Sequence, residues 1–181
     1  LFVPSDRLLS YGAACAATSP GLSANPEQVF NAAFVPILVL NLAGPALGIA
    51  EQALADFTEI ILSRPGAYPI TGEARLDAPQ AHTMLTEAEM RIDIARLLLE
   101  RAGEVIREAS VASGRMSRAL AAKTCVDTTW ATRECMQAVQ SMFLNGGASA
   151  LTPSHPLQRA FQDVTAINCH GFLSHESAVR L

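Results

Sequence analysis

A pattern of apolar residues spaced three and four positions apart runs almost unbroken from Pro26 to the C-terminus. It is clearest over Pro79–Ser113, where the apolar positions follow the helical period of about 3.6 residues per turn. This stripe consists of Met84, Leu85, Ala88, Ile92, Ala95, Leu98, Leu99, Ala102, Val105 and Ile106. Such a stripe must bury one face of a long helix, so it restricts the chain to helical packing.

Four long helices are predicted from this spacing, separated by segments that contain proline and glycine. Their expected boundaries are about Asn31 or Pro36 to Leu62, Pro79 to Ser113, Ser117 to Leu144, and Ser154 to the end of the chain. Helices of roughly 25 to 35 residues joined by breaks at 63–79, 114–116 and 145–154 predict an all-α fold, an antiparallel four-helix bundle. No β-strand is expected after Leu9.

The composition fits one compact domain. Of the 181 residues, 50% are hydrophobic and 17% are charged, which allows a sizeable core. The net charge is −4 and the arginines are scattered, so nucleic acid is not expected as a partner. The apolar run Phe34–Ala50 is short for a bilayer and contains Pro36 and Pro45, so a buried core helix is favoured over a membrane span.

Cysteine usage points to a reducing environment. Cys15, Cys125, Cys135 and Cys169 form no CxxC motif, and no set of Cys and His residues has the spacing of a zinc site. We therefore expect no metal and four free thiols in the cytoplasm. The chain lacks an initiating Met and a signal-peptide pattern, and we expect it to be a piece of a longer protein.

The most distinctive polar residues lie between Ser154 and His170. In the predicted fourth helix, Arg159, Asp163 and His170 are spaced by four and seven positions and share one face. From the residues alone, a solvated polar face or a histidine at a subunit contact is favoured over a catalytic face.

Two other features could bind a ligand. Gly146 and Gly147 follow the third helix, where a helix cap and turn is favoured over a backbone that approaches a planar or phosphate-bearing ligand. Arg64 follows the first helix, where a cation suits the helix dipole and could equally bind a phosphate.

Four segments resemble the C-terminal helical domain of the acyl-CoA dehydrogenase superfamily: LAGPALGIAEQAL, MRIDIARLLLERA, FLNGGASAL and HPLQRAFQDVTAINCH. The N-terminal LFVPSDRLLS resembles the end of the β-barrel domain that precedes this bundle in the family. The resemblance implies that residues 1–30 are a remnant of that β domain with a linker. It also implies that residues 31–181 are the C-terminal four-helix bundle and that earlier domains are missing.

A departure from the dehydrogenases points to one branch of this superfamily. The dehydrogenases carry a catalytic Glu in a YEG-like motif near the end of the bundle, whereas this chain reads INCHGF, with His170 in place of the acid. The arrangement GGAS…HPLQR…D…H is similar to that of two-component flavin-dependent monooxygenases. The resemblance implies reduced flavin (FMN or FAD) from a separate reductase, O2, and a small aromatic or heteroatom substrate. It implies that His170 is the catalytic residue beside the flavin.

Further residue roles and an assembly are implied in the same way. Arg64 matches an arginine that reaches the flavin phosphate in a neighbouring subunit, and Gly146 and Gly147 match a glycine pair that approaches the cofactor across a dimer. The family implies a homo-oligomer, a dimer of dimers. Two other hypotheses stay open: an acyl-CoA dehydrogenase with a displaced base, and a helical oligomerisation domain inactive as an isolated fragment. Gln162 stands where the family often has Arg, which weakens any inference about an ion pair there.

Overall fold

The computed structural model describes residues 2–16, 18–25, 27–63, 79–112, 116–174, 176 and 178. These residues form two short helices, α1 (Tyr11–Cys15) and α2 (Gly21–Ala24), followed by four long ones. The long helices are α3 (Phe34–Ser63), α4 (Pro79–Ala112), α5 (Arg118–Asn145) and α6 (Pro156–Asn168). No strand occurs among the described residues, so the predicted all-α fold is confirmed. The domain boundary at residue 30 stays a prediction.

Ion pairs between α4 and α5 show that these helices run antiparallel. Arg91 donates to Glu134 over 2.6 Å, whereas Arg101, further along α4, donates to Asp127, which lies earlier along α5, over 3.0 Å. Both acids are buried, with 8% of Glu134 and 7% of Asp127 exposed. A buried carboxylate requires a partner, so these pairs fix the register between the two helices.

The junction of α5 and α6 is also antiparallel. The rings of Phe143 and Phe161 stack with their centroids 4.7 Å apart. Closer to the connection, Leu157 packs beside Gly146. These contacts bring the start of α6 against the end of α5, as the short break between them predicts.

Helix α3 also runs antiparallel to α4. Leu40, near the start of α3, packs beside Gly103, near the end of α4. Further along α3, Glu51 accepts a hydrogen bond from Arg96 over 3.0 Å. The C-terminal end of α3 at Ser63 therefore lies at the same end of the bundle as the beginning of α4 and the end of α5.

The core contains many small side chains, which allow the helices to approach one another closely. On α3 the fully buried residues recur every three or four positions: Val39, Ala43, Ala46, Ala50, Ala53, Phe57 and Ile61. Helix α5 opposes them with Cys125, Ala131, Cys135, Ala138, Val139 and Met142. Both α3 and α5 pack against each of the other three long helices, so α4 and α6 flank this central pair.

Within the described residues, α3 is the one helix whose length and hydropathy would suffice to cross a bilayer. Helices at the centre of a globular core have the same composition. The buried alanines of α3 belong to the core cluster that the long helices share. Helix α3 therefore lies in the core, as the sequence predicts.

Helix α6 ends earlier than expected. It begins at Pro156, two residues after the predicted Ser154, because His155 caps it by accepting the N–H of Leu157 through Nδ1, and proline occupies its first position. The expectation that it continues to the end of the chain is wrong, since the helix stops at Asn168. A 3₁₀ turn follows at Gly171–Leu173, and Leu173 anchors this turn in the core with 2% of its surface exposed.

Candidate active site

His170 lies in the turn between α6 and the 3₁₀ helix Gly171–Leu173, not on α6. Its backbone is extended, and its Nδ1 accepts a hydrogen bond from the Phe172 N–H at 3.3 Å. The imidazole also stacks against the Phe172 ring, with the centroids 6.0 Å apart. Because Nδ1 is an acceptor, the proton of the neutral ring resides on Nε2, which makes Nε2–H the group available to a ligand. The side chain is exposed.

The structure separates His170 from Asp163. Cys169 ends α6 by donating its N–H to Thr165, and the next residue leaves the helical conformation. The prediction that Asp163 and His170 share a helix face is therefore wrong. Asp163 instead pairs with Arg159 at 3.6 Å in an exposed contact, which is the solvated polar face that the residues alone favour.

The glycine pair forms the cap that the sequence predicts, and the two glycines have different surroundings. Gly146 ends α5 and is buried, and a Cβ placed there would lie 3.0 Å from both Ala150 and Leu157. Gly147 has φ 81° and ψ −179°, a region that other residues rarely adopt. No atom lies within 4 Å of a Cβ built on Gly147, and the residue is exposed. A ligand could therefore approach the backbone of Gly147 but not that of Gly146.

His170 and the glycine pair are far apart within one chain. The pair contacts the beginning of α6, whereas His170 follows its end, and the 13 residues of α6 span roughly 20 Å. Arg64 lies outside the described residues, but Ser63 before it ends α3 on the glycine side of the bundle. The chain thus presents two separate candidate regions, one around Gly147 and one around His170.

A surface cavity of about 190 Å³ lies beside the turn that carries His170. Its lining residues come from α5 and from both sides of the turn: Thr129, Trp130, Arg133, Asn168, Leu173 and Ser174. None of the site residues predicted from the sequence lines this cavity. The available signal was the chain's single tryptophan three positions before an arginine on one helix, a spacing that places both on one face.

The remaining candidate residues are His82 and the four cysteines. His82 is exposed on α4. All four cysteines are free, with Cys15 and Cys169 exposed and Cys125 and Cys135 buried. Over the described ranges, no three His, Cys, Asp or Glu side chains come together as a metal site.

Comparison with known proteins identifies the fold. The family model for the acyl-CoA dehydrogenase C-terminal domain matches residues 40–175. The chain belongs to this family. Among solved structures, the HsaA monooxygenase from M. tuberculosis superposes with a TM-score of 0.84 at 28% identity, over 98% of this chain and 46% of that one.

The relatives in this family are flavin-dependent oxygenases. The oxygenase subunit HsaA of a flavin-dependent monooxygenase from Rhodococcus jostii is 31% identical over 98% of this chain and 46% of the relative. The oxygenase component of p-hydroxyphenylacetate 3-hydroxylase from Acinetobacter baumannii is 24% identical over 100% of this chain and 43% of the relative. The chain therefore spans less than half the length of these relatives.

Proposed function

We propose that this chain is the C-terminal helical domain of an oxygenase component that uses reduced flavin and O2 to oxygenate a small aromatic or heteroatom substrate. The observation that carries the proposal is His170, an exposed imidazole with a defined tautomer at the position where the family's dehydrogenases carry an acid. The names of the relatives support the same class of reaction. A dehydrogenase needs a base for the substrate α-proton, and the INCHGF segment offers no carboxylate.

His170 supplies a proton donor whose orientation is fixed. Bound reduced flavin supplies the electrons that activate O2. The Nδ1 contact to the Phe172 N–H holds the ring, so Nε2–H can donate to an oxygen atom of the reacting group as a general acid. Exclusion of water around this donor would favour transfer of oxygen over loss of peroxide.

The distance between the two candidate regions supports an assembled site. We propose that His170 acts on a flavin held largely by its own chain, while Arg64 and Gly147 contact the flavin of a neighbouring copy. The position of Gly147 at the opposite end of α6 from His170 suits this arrangement, because one flavin ring cannot touch both of these residues in the same chain. The cofactor is FMN or FAD, and its reduced form comes from a separate reductase in the cytoplasm.

A homo-oligomer, a dimer of dimers, is part of this proposal. Helix α4 exposes an apolar stripe of Met90, Ile94 and Leu97, with 53%, 41% and 65% of their surfaces accessible. Their spacing of four and three positions places them on one face. A contiguous apolar face of this kind is typical of a surface that a partner covers.

The test compares two substitutions of His170 in the longer oxygenase that carries this domain. His170→Ala removes the donor, whereas His170→Asn keeps an acceptor for the Phe172 N–H and a donor group but cannot exchange a proton. Both variants should lower coupled oxygenation by about 100-fold, the scale of general acid catalysis, and raise H2O2 release. Asp163→Asn, in the exposed ion pair with Arg159, should leave both unchanged.

Two outcomes would contradict the proposal. If His170→Ala retained wild-type coupling, the histidine would have no part in the chemistry. If an acyl-CoA thioester bleached the bound flavin, the protein would be a dehydrogenase with a displaced base. For the 181-residue chain alone, we expect little flavin absorbance after gel filtration.

A further inference from the structure

We propose that Phe172 is a positioning residue for His170, and that its ring and its backbone N–H together fix the plane and the tautomer of the imidazole. The inference rests on the proposed function, in which Nε2–H of His170 donates a proton to the reacting group. It goes further by naming the residue that holds this donor in place. The side chain of Phe172 has no proton to exchange, so it acts through His170.

Two contacts join Phe172 to the imidazole of His170. The backbone N–H of Phe172 donates to Nδ1 at 3.3 Å, which leaves the proton of the neutral ring on Nε2. This hydrogen bond fixes the position of Nδ1 but allows the ring to turn about the contact. The phenyl ring removes that freedom, because it stacks on the imidazole with the centroids 6.0 Å apart and an angle of 25° between the planes.

The main chain around Phe172 is held by the core. Leu173, the next residue, is 2% exposed and belongs to the buried core cluster. Its N–H donates to the carbonyl oxygen of His170 at 2.8 Å, so the 3₁₀ turn closes on the residue that it positions. The turn contacts both central helices, α3 and α5. Phe172 is therefore attached to a well-anchored segment, although 39% of its own surface is exposed.

A second histidine in the chain shows what the hydrogen bond does without an aromatic ring. His155 precedes α6 with a similar extended backbone, and its Nδ1 accepts the N–H of Leu157, two residues further on, at 3.3 Å. Leu157 is aliphatic and fully buried. An N–H to Nδ1 is therefore sufficient to cap a helix, and a ring is not needed for this. Because Phe172 lies outside the core cluster, its ring contributes mainly through its contact with His170.

Histidine NMR of the 181-residue chain tests the positioning directly. Isotope labelling of histidine reports which ring nitrogen carries the proton, and the carbon-bound ring protons of His170 sense the ring current of Phe172. Phe172→Leu keeps the backbone N–H and the apolar bulk but removes the flat ring. We expect the ring-current shift of the His170 protons to disappear. The signals of His155, which is capped in the same way without a ring, are the internal control and should not move.

The spectrum needs one assignment and one conservative variant. His170→Asn identifies the His170 signals by their loss. Phe172→Tyr keeps a ring that can stack, so it should retain the ring-current shift. Circular dichroism of each variant establishes that the helices are intact.

The same substitutions in the longer oxygenase test the consequence for the reaction. Phe172→Leu should lower the kcat of coupled oxygenation by about tenfold and raise H2O2 release, because the donor stays present but is no longer aligned. The KM for the substrate should change little, and Phe172→Tyr should recover most of the coupling. In the His170→Ala background, Phe172→Leu should have no further effect, because no imidazole remains to be positioned.

Three results would overturn the inference. The first is a Phe172→Leu chain whose His170 signals match those of the wild type. The second is a raised KM with an unchanged kcat, which would make the ring a substrate contact. The third is an equal loss of coupling with and without His170, which would show that Phe172 acts independently of it.

Failure of the proposed function has a different signature. Wild-type coupling in His170→Ala would contradict that function, whichever residue holds the imidazole. The NMR comparison uses neither flavin nor O2, so it would still decide whether Phe172 fixes the ring of His170.

Discussion

Among the glycines that the structure describes, Gly146 has the tightest surroundings. An added Cβ would lie 3.0 Å from Ala150 and Leu157 and 3.2 Å from the Phe143 carbonyl oxygen. Gly146→Ala should therefore force the α5–α6 junction apart and lower the free energy of unfolding by about 1–3 kcal/mol, the usual cost of overpacking. Denaturant unfolding of the purified variant measures this.

Gly48 is the matched control for Gly146. It lies in the interior of α3 and is exposed, and a Cβ on it meets no atom within 4 Å. Gly48→Ala should raise the free energy of unfolding by about 0.5–1 kcal/mol, because alanine restricts the unfolded chain and favours a helix. Equal effects of the two substitutions would show that packing at Gly146 is not tight.

The cysteines should fall into two reactive classes. Burial raises the pKa of the Cys125 thiol to about 11 and that of Cys135 to about 12, whereas Cys15 and Cys169 are exposed. Since the thiolate is the nucleophile, alkylation of the native protein near pH 8 should modify the two exposed residues and spare the buried two. Mass spectrometry of digested protein counts the labels, and denaturant should expose all four.

The same pKa shifts set a pH dependence of stability. Above a pH of about 9 the two thiols ionise in the unfolded chain but stay protonated in the folded one, so the unfolded state binds fewer protons. The free energy of unfolding should fall as pH rises from about 9 towards 11. The double variant Cys125→Ala/Cys135→Ala should show a shallower fall than the wild type. If both proteins show the same fall, the thiols are not its cause.

At the scale of helices, periodicity predicted where each element lies but not how the last one ends. The predicted third helix, residues 117–144, matches α5 within one residue at each end, because Ser117 caps it through the N–H of Leu120 and Gly147, with φ 81°, leaves the helical conformation. At the end of α6 the apolar spacing continues past Asn168. The stop there depends on His170 capping the following 3₁₀ turn and on burial of Leu173, a tertiary effect that spacing does not contain.

The pairing of α4 with α5 should depend on the buried ion pair of Arg91 and Glu134. Arg91→Met leaves Glu134 without its cation in a site where 8% of the residue is exposed. We expect the free energy of unfolding to fall by about 1–2 kcal/mol. This is less than the loss for a fully buried pair, because Arg91 is partly exposed. Arg91→Met/Glu134→Leu should recover much of it, because an apolar pair fills the same space without a buried charge.

Arg107→Met provides the comparison within the same helix. Arg107 pairs with Glu104 in an exposed contact between residues three apart, with 62% and 54% of their side chains accessible. Water screens such a pair, so its loss should not change the melting temperature measurably. A loss as large as that of Arg91→Met would mean that the helix itself, and not its pairing with α5, determines stability.

For the whole molecule, the sequence predicted the bundle but not how its last helix and the turn after it pack against α5. Each predicted helix was found, and the glycine pair formed its cap. The separation of Gly147 from His170 follows from the length of α6 between them, whereas the contact of Phe143 with Phe161 that places α6 against α5 is encoded by no local pattern. The surface cavity between α5 and this turn likewise depends on how the turn after α6 folds back against α5.

The apolar stripe of α4 gives the assembly a direct test. Ile94→Lys/Leu97→Lys places two charges on the face where we propose that a second copy packs, and burying them without partners would be costly. Sedimentation should show a smaller species than the wild type at the same concentration. The control is Val111→Lys, an apolar residue of α4 that is 52% exposed and lies roughly 20 Å along the helix from the stripe. It should sediment as the wild type does. If the double variant also sediments as the wild type does, the copies associate through another face, and α4 would then need a different partner to cover its stripe.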